Sequence, residues 1–246
     1  MKNIAGLLSL AACAPALAQT HMMMPEGSKD IYLSLGVASS PAYEGSARRE
    51  TFVAPLISVQ WANGVFIDMN VIGMHLSEDP GMAYGPLFSP GTTRVDNLAQ
   101  AQSDKRARSR FTPEVGGFFH YTLSHGLGVR SQLMYGGSAD RRGVRVALMP
   151  YLEYPVGEHH SLGLQGRLQL ANRSALQARF AVPGQHEVSA GLRDASVGIR
   201  WRWELNTKYT LSTSVSWTKL LGSAGASPRV ERAAGTTAVT ILTYHY

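Results

Sequence analysis

The sequence predicts an all-β protein: an antiparallel transmembrane β-barrel of about ten strands, with twelve as the alternative count, formed after removal of a signal peptide. Three observations carry this expectation. Segment after segment alternates apolar with polar residues, short turns alternate with mostly long connections, and the final strand pattern ends on aromatic residues. From Gly235 to Tyr246 one parity reads Ala238, Thr240, Leu242, Tyr244, Tyr246, and the other reads Thr237, Val239, Ile241, Thr243, His245. Tyrosine rings suit a membrane–water boundary, where one part of the ring is in lipid and the other is wet. Leu242, Tyr244 and Tyr246 are accordingly read as the signal that the barrel-assembly machinery takes up.

Composition agrees with that class. Charged residues make up only 16% of the 246, below the roughly 25% of ordinary soluble domains, and glycine is abundant at 25. Hydrophobic residues reach 44%, yet mean hydropathy is −0.08 because they are dispersed. After the leader no stretch holds the ~20 continuous apolar residues of a transmembrane helix, so any crossing is by strands, in which only every second residue meets lipid.

Residues 1–18 have the layout of a signal peptide: Lys2, an apolar core from Ile4 to Ala12, and Ala16-Leu17-Ala18 before Gln19. A rival reading takes Leu10-Ala11-Ala12-Cys13 as a lipoprotein site, but it leaves a very short apolar core and an ordinary site follows it. Cys13 is the one cysteine, so cleavage leaves no disulfide, and a closed barrel needs none because its backbone groups pair around the ring. Removing Lys2 takes 23 basic residues to 22 against 17 acidic, a net charge of +5. Outside the cytoplasm that charge points to anionic lipid headgroups and away from nucleic acid.

Residues 19–28 read as a periplasmic N-terminal arm, and residues 29–246 as the barrel. Met22 to Met24 beside His21 resemble a copper tract, but one histidine is thin support, and neither metal nor cofactor is expected. Alternation starts with Ile31, Leu33, Leu35 and Val37 on one face. It resumes at Val53, Ile57, Val59 and Trp61, with Pro55 marking a bulge or weak pairing. Ala62-Asn63-Gly64 is a hairpin turn, because Asn-Gly tolerates positive φ. The returning strand sets Val65, Ile67, Met69 and Val71 against Phe66, Asp68 and Asn70.

Residues 77–110 read as a long polar loop. Further strands follow around Val115–Leu123, Leu127–Tyr135, Val144–Tyr154, Leu162–Leu170, Val197–Trp203 and Tyr209–Trp217. Residues 173–192 are irregular and are the place where a further strand pair would hide. Short turns fall at 62, 124, 156 and 205 and longer connections at 39, 77, 173 and 222, with a modest one at 137. Both ends of a ten-strand wall then lie on the periplasmic side.

The apolar parity carries no charge in the central part of any strand. The other parity carries Asp68, Glu114, Arg130, Arg145, Glu153, Arg167, Arg200 and Arg202, which the pattern assigns to the lumen, as structural or pore-lining charges. A bilayer imposes this one-sidedness, since Lys or Arg on the lipid face costs ~2–4 kcal/mol at the midplane. A soluble lipocalin-like barrel would turn the apolar parity inward and has no use for a terminal aromatic pair. Lys105, Arg106, Arg108 and Arg110 form a basic cluster suited to lipopolysaccharide phosphates or simply to water. His75 with Glu78 and Asp79 is the nearest approach to a catalytic group, but its parity puts it on the lipid side of the rim. His120 reads as a lumen hydrogen-bonder with Glu114 or Arg130, and no catalytic residue is assigned.

Ile31 to Ser46, Pro113 to Tyr121 and Leu220 to Tyr246 resemble the MltA-interacting protein (MipA/OmpV) family of outer-membrane proteins. The specific parts are Tyr43-Glu44-Gly45-Ser46 and Leu221-Gly222 through Ser227-Pro228. An Arg-Asp segment of the family has only Arg94 and Asp96 to match it, and Phe180-Ala181-Val182-Pro183 departs from an aromatic-Gly-Val segment. The resemblance implies a non-enzymatic scaffold in the cell outer membrane of a Gram-negative cell, joining a murein transglycosylase to a peptidoglycan synthase. A narrow channel or small-solute porin is the alternative, and an outer-rim hydrolase a weaker one.

Overall fold

The computed structural model describes residues 24–90, 92–94, 109–111, 113–137 and 142–246, the short stretches 92–94 and 109–111 by backbone alone. The expected signal peptide, His21 to Met23, Asp96, and Lys105, Arg106 and Arg108 lie outside the described residues.

The elements are β1 (Lys29–Pro41), β2 (Arg49–Trp61), β3 (Val65–Asp68), β4 (Val71–Met74), β5 (Met82–Ser89), β6 (Thr92–Arg94), β7 (Ser109–Phe111), β8 (Glu114–Ser124), β9 (Leu127–Gly136), β10 (Gly143–Pro155), β11 (His160–Ala171), α1 (Arg173–Phe180), β12 (Gly191–Glu204), β13 (Tyr209–Leu220), the helical turn α2 (Gly222–Gly225) and β14 (Ala234–His245). Twelve strands close an antiparallel barrel in the order β1-β14-β13-β12-β11-β10-β9-β8-β5-β4-β3-β2, while β6 and β7 pair with each other outside it. The seam joins β1 to β14 with Leu35 opposite Leu242 and Leu33 opposite Tyr244, and the Tyr246 N–H donates to the Ile31 carbonyl at 3.0 Å. Closure leaves these strands no free edge, the condition for a sheet surrounded by hydrocarbon.

The period of two decides the faces. Leu33, Leu35, Val37, Val115, Leu133, Leu164, Val197, Ile199 and Val215 all point out and are exposed, Ile199 at 62%. Their neighbours on the other parity turn inward, where Arg200 is 8% exposed and Glu114 3%. An exterior of leucine, isoleucine and valine around a charged interior is the reverse of a soluble barrel, and the medium it fits is lipid. Tyr84, Tyr121, Tyr154, Trp201 and Tyr209 ring the short-turn end, while Tyr135 and Trp217 stand toward the other, so aromatics flank the apolar band.

The two strands beyond ten come from residues 65–89, inside two stretches read as one strand and a long loop. The chain reverses at Met69–Asn70, with Asp68 opposite Val71, so β3 and β4 are a short hairpin. Met69 takes φ +53, unusual for a residue with a Cβ. The reversal shifts the parity: Phe66 and Asp68 face inward as expected, but so do Val71, Gly73 and His75, while Ile72, Met74 and Leu76 face out. Within the presumed loop, β5 pairs with β8 over eight residues, and Pro86 is tolerated because it turns its nitrogen toward the short β4. Residues 173–192 hold helix α1 and no further strand pair; only Gly191 and Leu192, the start of β12, belong to the wall. Asn172 caps that helix: its side chain accepts the Ala175 N–H at 3.0 Å and the Val144 N–H at 3.2 Å.

Candidate functional site: the lumen and its outer cap

The lumen is built from the inward parity of tilted strands, and its charges pair across strand boundaries. Arg145 on β10 donates to Glu114 on β8, both nearly out of solvent. Toward the short-turn end of the same wall Arg200 on β12 reaches Glu153 on β10 at 3.3 Å, and Arg202 lies 3.9 Å from Glu153 and 3.4 Å from Glu204. Arg167 reaches Asp194 at 3.3 Å. Arg130 lies 4.4 Å above the Tyr151 ring, a cation–π contact, and Asp68 accepts from the Ser58 hydroxyl at 2.6 Å. Ser34 with Thr243 and Thr213 with Thr240 add hydroxyl pairs at 2.8 and 3.1 Å. Between Arg130, Tyr151, Gln165, Arg167, Ser196 and Ser214 a cavity of about 60 Å³ remains, room for a few waters.

His120 lies in the lumen 5.0 Å from Phe118, across the ladder from Arg130, while Glu114 is taken by Arg145. His75 is not on the lipid side: it is 9% exposed and packs inside between Phe66 at 4.8 Å and Phe118 at 5.2 Å. The hairpin at Met69 causes that difference, since it moves β4 onto the opposite parity. Glu78 and Asp79 are exposed in the turn, where Asp79 accepts the Gly81 N–H at 2.7 Å. No group of three or more metal-ligating side chains gathers among the described residues. Arg94 and Arg110 lie in the small sheet, Arg94 in register with Ser109 and Arg110 with Thr93.

The strongest cluster stands at the outer mouth. β12 carries a bulge: Leu170 pairs with Leu192 and Gln169 with Asp194, so Arg193 is extra. A bulge re-aims side chains, and here Arg193 and Asp194 both turn inward and are buried. Arg193 donates to Asp194 at 2.6 Å, to Gln169 at 2.9 Å and to Glu44 at 3.1 Å. Arg179, from the last turn of α1, holds the other Glu44 oxygen at 3.0 Å. Burial by itself would raise the Glu44 pKa. Arg179, then Arg193, with Arg167 and Arg145 behind them, outweigh it and hold the carboxyl at about 2.

Gly45, Ser46 and Ala47 are fixed by the connection ahead of β14. The Glu231 and Arg232 N–H groups both donate to the Gly45 carbonyl, at 2.8 and 2.9 Å. Glu231 accepts the Tyr43 hydroxyl at 2.7 Å and the Ala47 N–H at 2.9 Å, bonds that lower its pKa. Ser227, 3% exposed, donates to the Phe180 carbonyl at 2.6 Å. Leu176 and Phe180 of α1 and Ala224 of α2 pack with Val188 and Leu220 in one apolar cluster. The motif at 43–46 is thus latched to residues 230–232, just beyond the motif at 221–228, whose Ser227 holds the end of α1. Arg179, Arg193, Asp194 and Glu231 were not singled out by sequence, because nothing local marks a bulge or the far partner of a loop.

A closed antiparallel wall with an apolar exterior, a charged lumen and aromatic margins defines an outer-membrane β-barrel protein. The chain belongs to the family described as MltA-interacting protein MipA, matched over residues 33–246. No curated protein matches the sequence. Solved structures similar in fold include the KdgM porin, at 12% identity and TM-score 0.48 over 87% of this chain and 98% of that one. The COG4313 outer membrane channel from Pseudomonas putida F1 matches at 10% identity and 0.47, over 95% and 99%. A bacterial polysaccharide outer membrane secretin matches at 6% identity and 0.51, over 91% and 99%. At such identities the likeness is one of fold.

Proposed function

We propose that this protein is a non-enzymatic, non-conducting barrel of the outer membrane whose periplasmic rim holds a murein transglycosylase, with a peptidoglycan synthase joined through it. The observation that carries this reading is the latched outer mouth above a lumen in which Glu114, Glu153 and Asp194 are held by arginine, Asp68 by Ser58, and Arg130 lies on the Tyr151 ring. A diffusion channel needs groups left to meet its solute, and here Glu114, Glu153 and Asp194 are each engaged by arginine. The family's own description names MltA as its partner. At the short-turn end the exposed carboxylates of Glu78, Asp79, Glu158 and Glu204 outnumber Lys29 and Lys208, so the rim suits a basic face on the partner.

The test is capture of a purified murein transglycosylase by the full chain in nanodiscs, at low and high salt. Salt-sensitive binding at micromolar concentration supports the reading, and no binding removes it. A narrow channel is the second reading, favoured by the cavity beside Arg130 and Arg167. Planar-bilayer recording separates the two: the scaffold passes no current, whereas a channel passes a current that Arg167→Gln changes. A rim hydrolase has only His75 to offer, and that ring is buried between two phenylalanines.

A further inference from the structure

The lipid-facing parity of the wall carries little charge on its outer half. Among the described residues it holds Arg49 on β2 and Lys219 on β13, both exposed, and no carboxylate. Only β1 and β14, the two strands of the seam, stand between them. Trp217 lies on the same face one step inward from Lys219, with exposed Val215 and Val37 beyond it, so the two cations sit where the apolar band gives way to headgroups. The long connections mark this end as the outer one.

A cation at such a margin ordinarily climbs toward bulk water. Arg49 instead runs sideways across β1: its guanidinium donates to the Ser39 O and Oγ, each at 3.0 Å, and to the Thr236 O on β14 at 2.6 Å. These neutral oxygens take at most three of its five N–H donors, so the group is held in place with its charge uncompensated. Thr236 is in register with Trp217 and Ala234 with Lys219, which makes Lys219 the diagonal neighbour of Thr236, about 7–8 Å away. The four-carbon stem of a lysine covers that distance. Among the described residues the Lys219 ammonium makes no hydrogen bond or ion pair. The acids nearest in the chain are engaged elsewhere: Glu50, on the inward parity, takes Arg48 at 2.9 Å, and Glu231 takes the Tyr43 hydroxyl and the Ala47 N–H.

We propose that Arg49 and Lys219 clasp a phosphomonoester on the headgroup of an outer-leaflet glycolipid, seated on the outer face of the seam. Two uncompensated cations are matched by close to two negative charges. A phosphomonoester carries about −1.5 to −2 at pH 7 and offers three oxygens to the two side chains, whereas the phosphodiester of a glycerophospholipid carries a single charge. Arg49 supplies the fixed half of the clasp and Lys219 the adjustable half. The acyl chains of the same lipid then lie over Val37 and Val215.

The test uses the full chain folded in detergent, with lipid A, phosphatidylglycerol and inorganic phosphate as probes and native mass spectra as the readout. Lipid A should be retained about tenfold more than phosphatidylglycerol, and inorganic phosphate in large excess should not displace it, because the acyl chains hold it as well. Lys219→Gln should lower lipid A retention about tenfold, the share of one charge-assisted contact, while heat-modifiable folding stays unchanged. Arg49→Gln should do the same. Lys29→Gln, which removes a lipid-facing cation at the short-turn end, should leave retention as it is. Retention indifferent to Lys219→Gln, equal retention of phosphatidylglycerol, displacement by inorganic phosphate, an equal loss with Lys29→Gln, or a paired-chain species that Lys219→Gln abolishes would each overturn the proposal.

Discussion

Glu44 is the residue on which the outer latch turns. Its carboxylate spans Arg179 and Arg193, and its depressed pKa of about 2 against an ordinary 4.5 fixes the sign of its pH dependence. The stabilisation is complete above pH 4.5 and fades as pH falls toward 2, and the lowered pKa of Glu231 acts in the same direction. Amide exchange of residues 42–48, corrected for intrinsic rate, should therefore rise between pH 5 and about pH 2.5, while the strands stay protected. Glu44→Gln should bring that loosening to pH 7. Because the Glu44 side chain keeps 40% exposure, the loss is held to about 1 kcal/mol. Gly45→Ala tests the same latch by backbone. Gly45 has φ +90, and a Cβ there would stand 2.9 Å from Val230 Cγ2, so about 1–2 kcal/mol is lost and the loop lifts, seen as faster exchange at Glu231 and Arg232. Glu44 and Gly45 were legible as part of a motif. Their partner Arg193 was not, since its inward turn depends on one extra residue in β12 that only pairing with β11 reveals.

Among the elements, the long strands were readable from alternation, and the short ones were not. β3 and β4 have four residues each, too few for a period of two to stand out, and their turn lacks the glycine that announced the one at Ala62–Gly64. β5 carries Gly85 and Pro86, residues that speak for a loop unless the edge they face is known. α1 had a signal, Asn172 ahead of the helix and Pro183 beyond it, but the surrounding barrel pattern favoured strands. Asn172→Ala removes both the helix cap and the acceptor for the Val144 N–H. A loss of about 1–2 kcal/mol is expected, measured as a lower midpoint in a heat-modifiability series, with exchange rising first in residues 173–180.

For the whole molecule the decisive property is the medium on each face. Ile199 and Arg200 are sequence neighbours, yet one is 62% exposed on the outside and the other 8% exposed inside against Glu153. Ile199→Arg should cost ~2–4 kcal/mol in lipid vesicles, read from urea unfolding of the reconstituted barrel. Ile199→Leu should be near neutral. A soluble barrel would show the opposite order of tolerance, because a charge on its outside is free.

The pairing of β1 with β14 also bears on how such a protein is made. The two strands are the first and the last of the wall to emerge during synthesis, and neither has its neighbour until both are present. Until then the precursor carries two raw edges through an aqueous compartment, which is where holding chaperones act. Delay in delivering the final dozen residues would therefore leave the entire polypeptide exposed to proteolysis rather than a mostly finished cylinder.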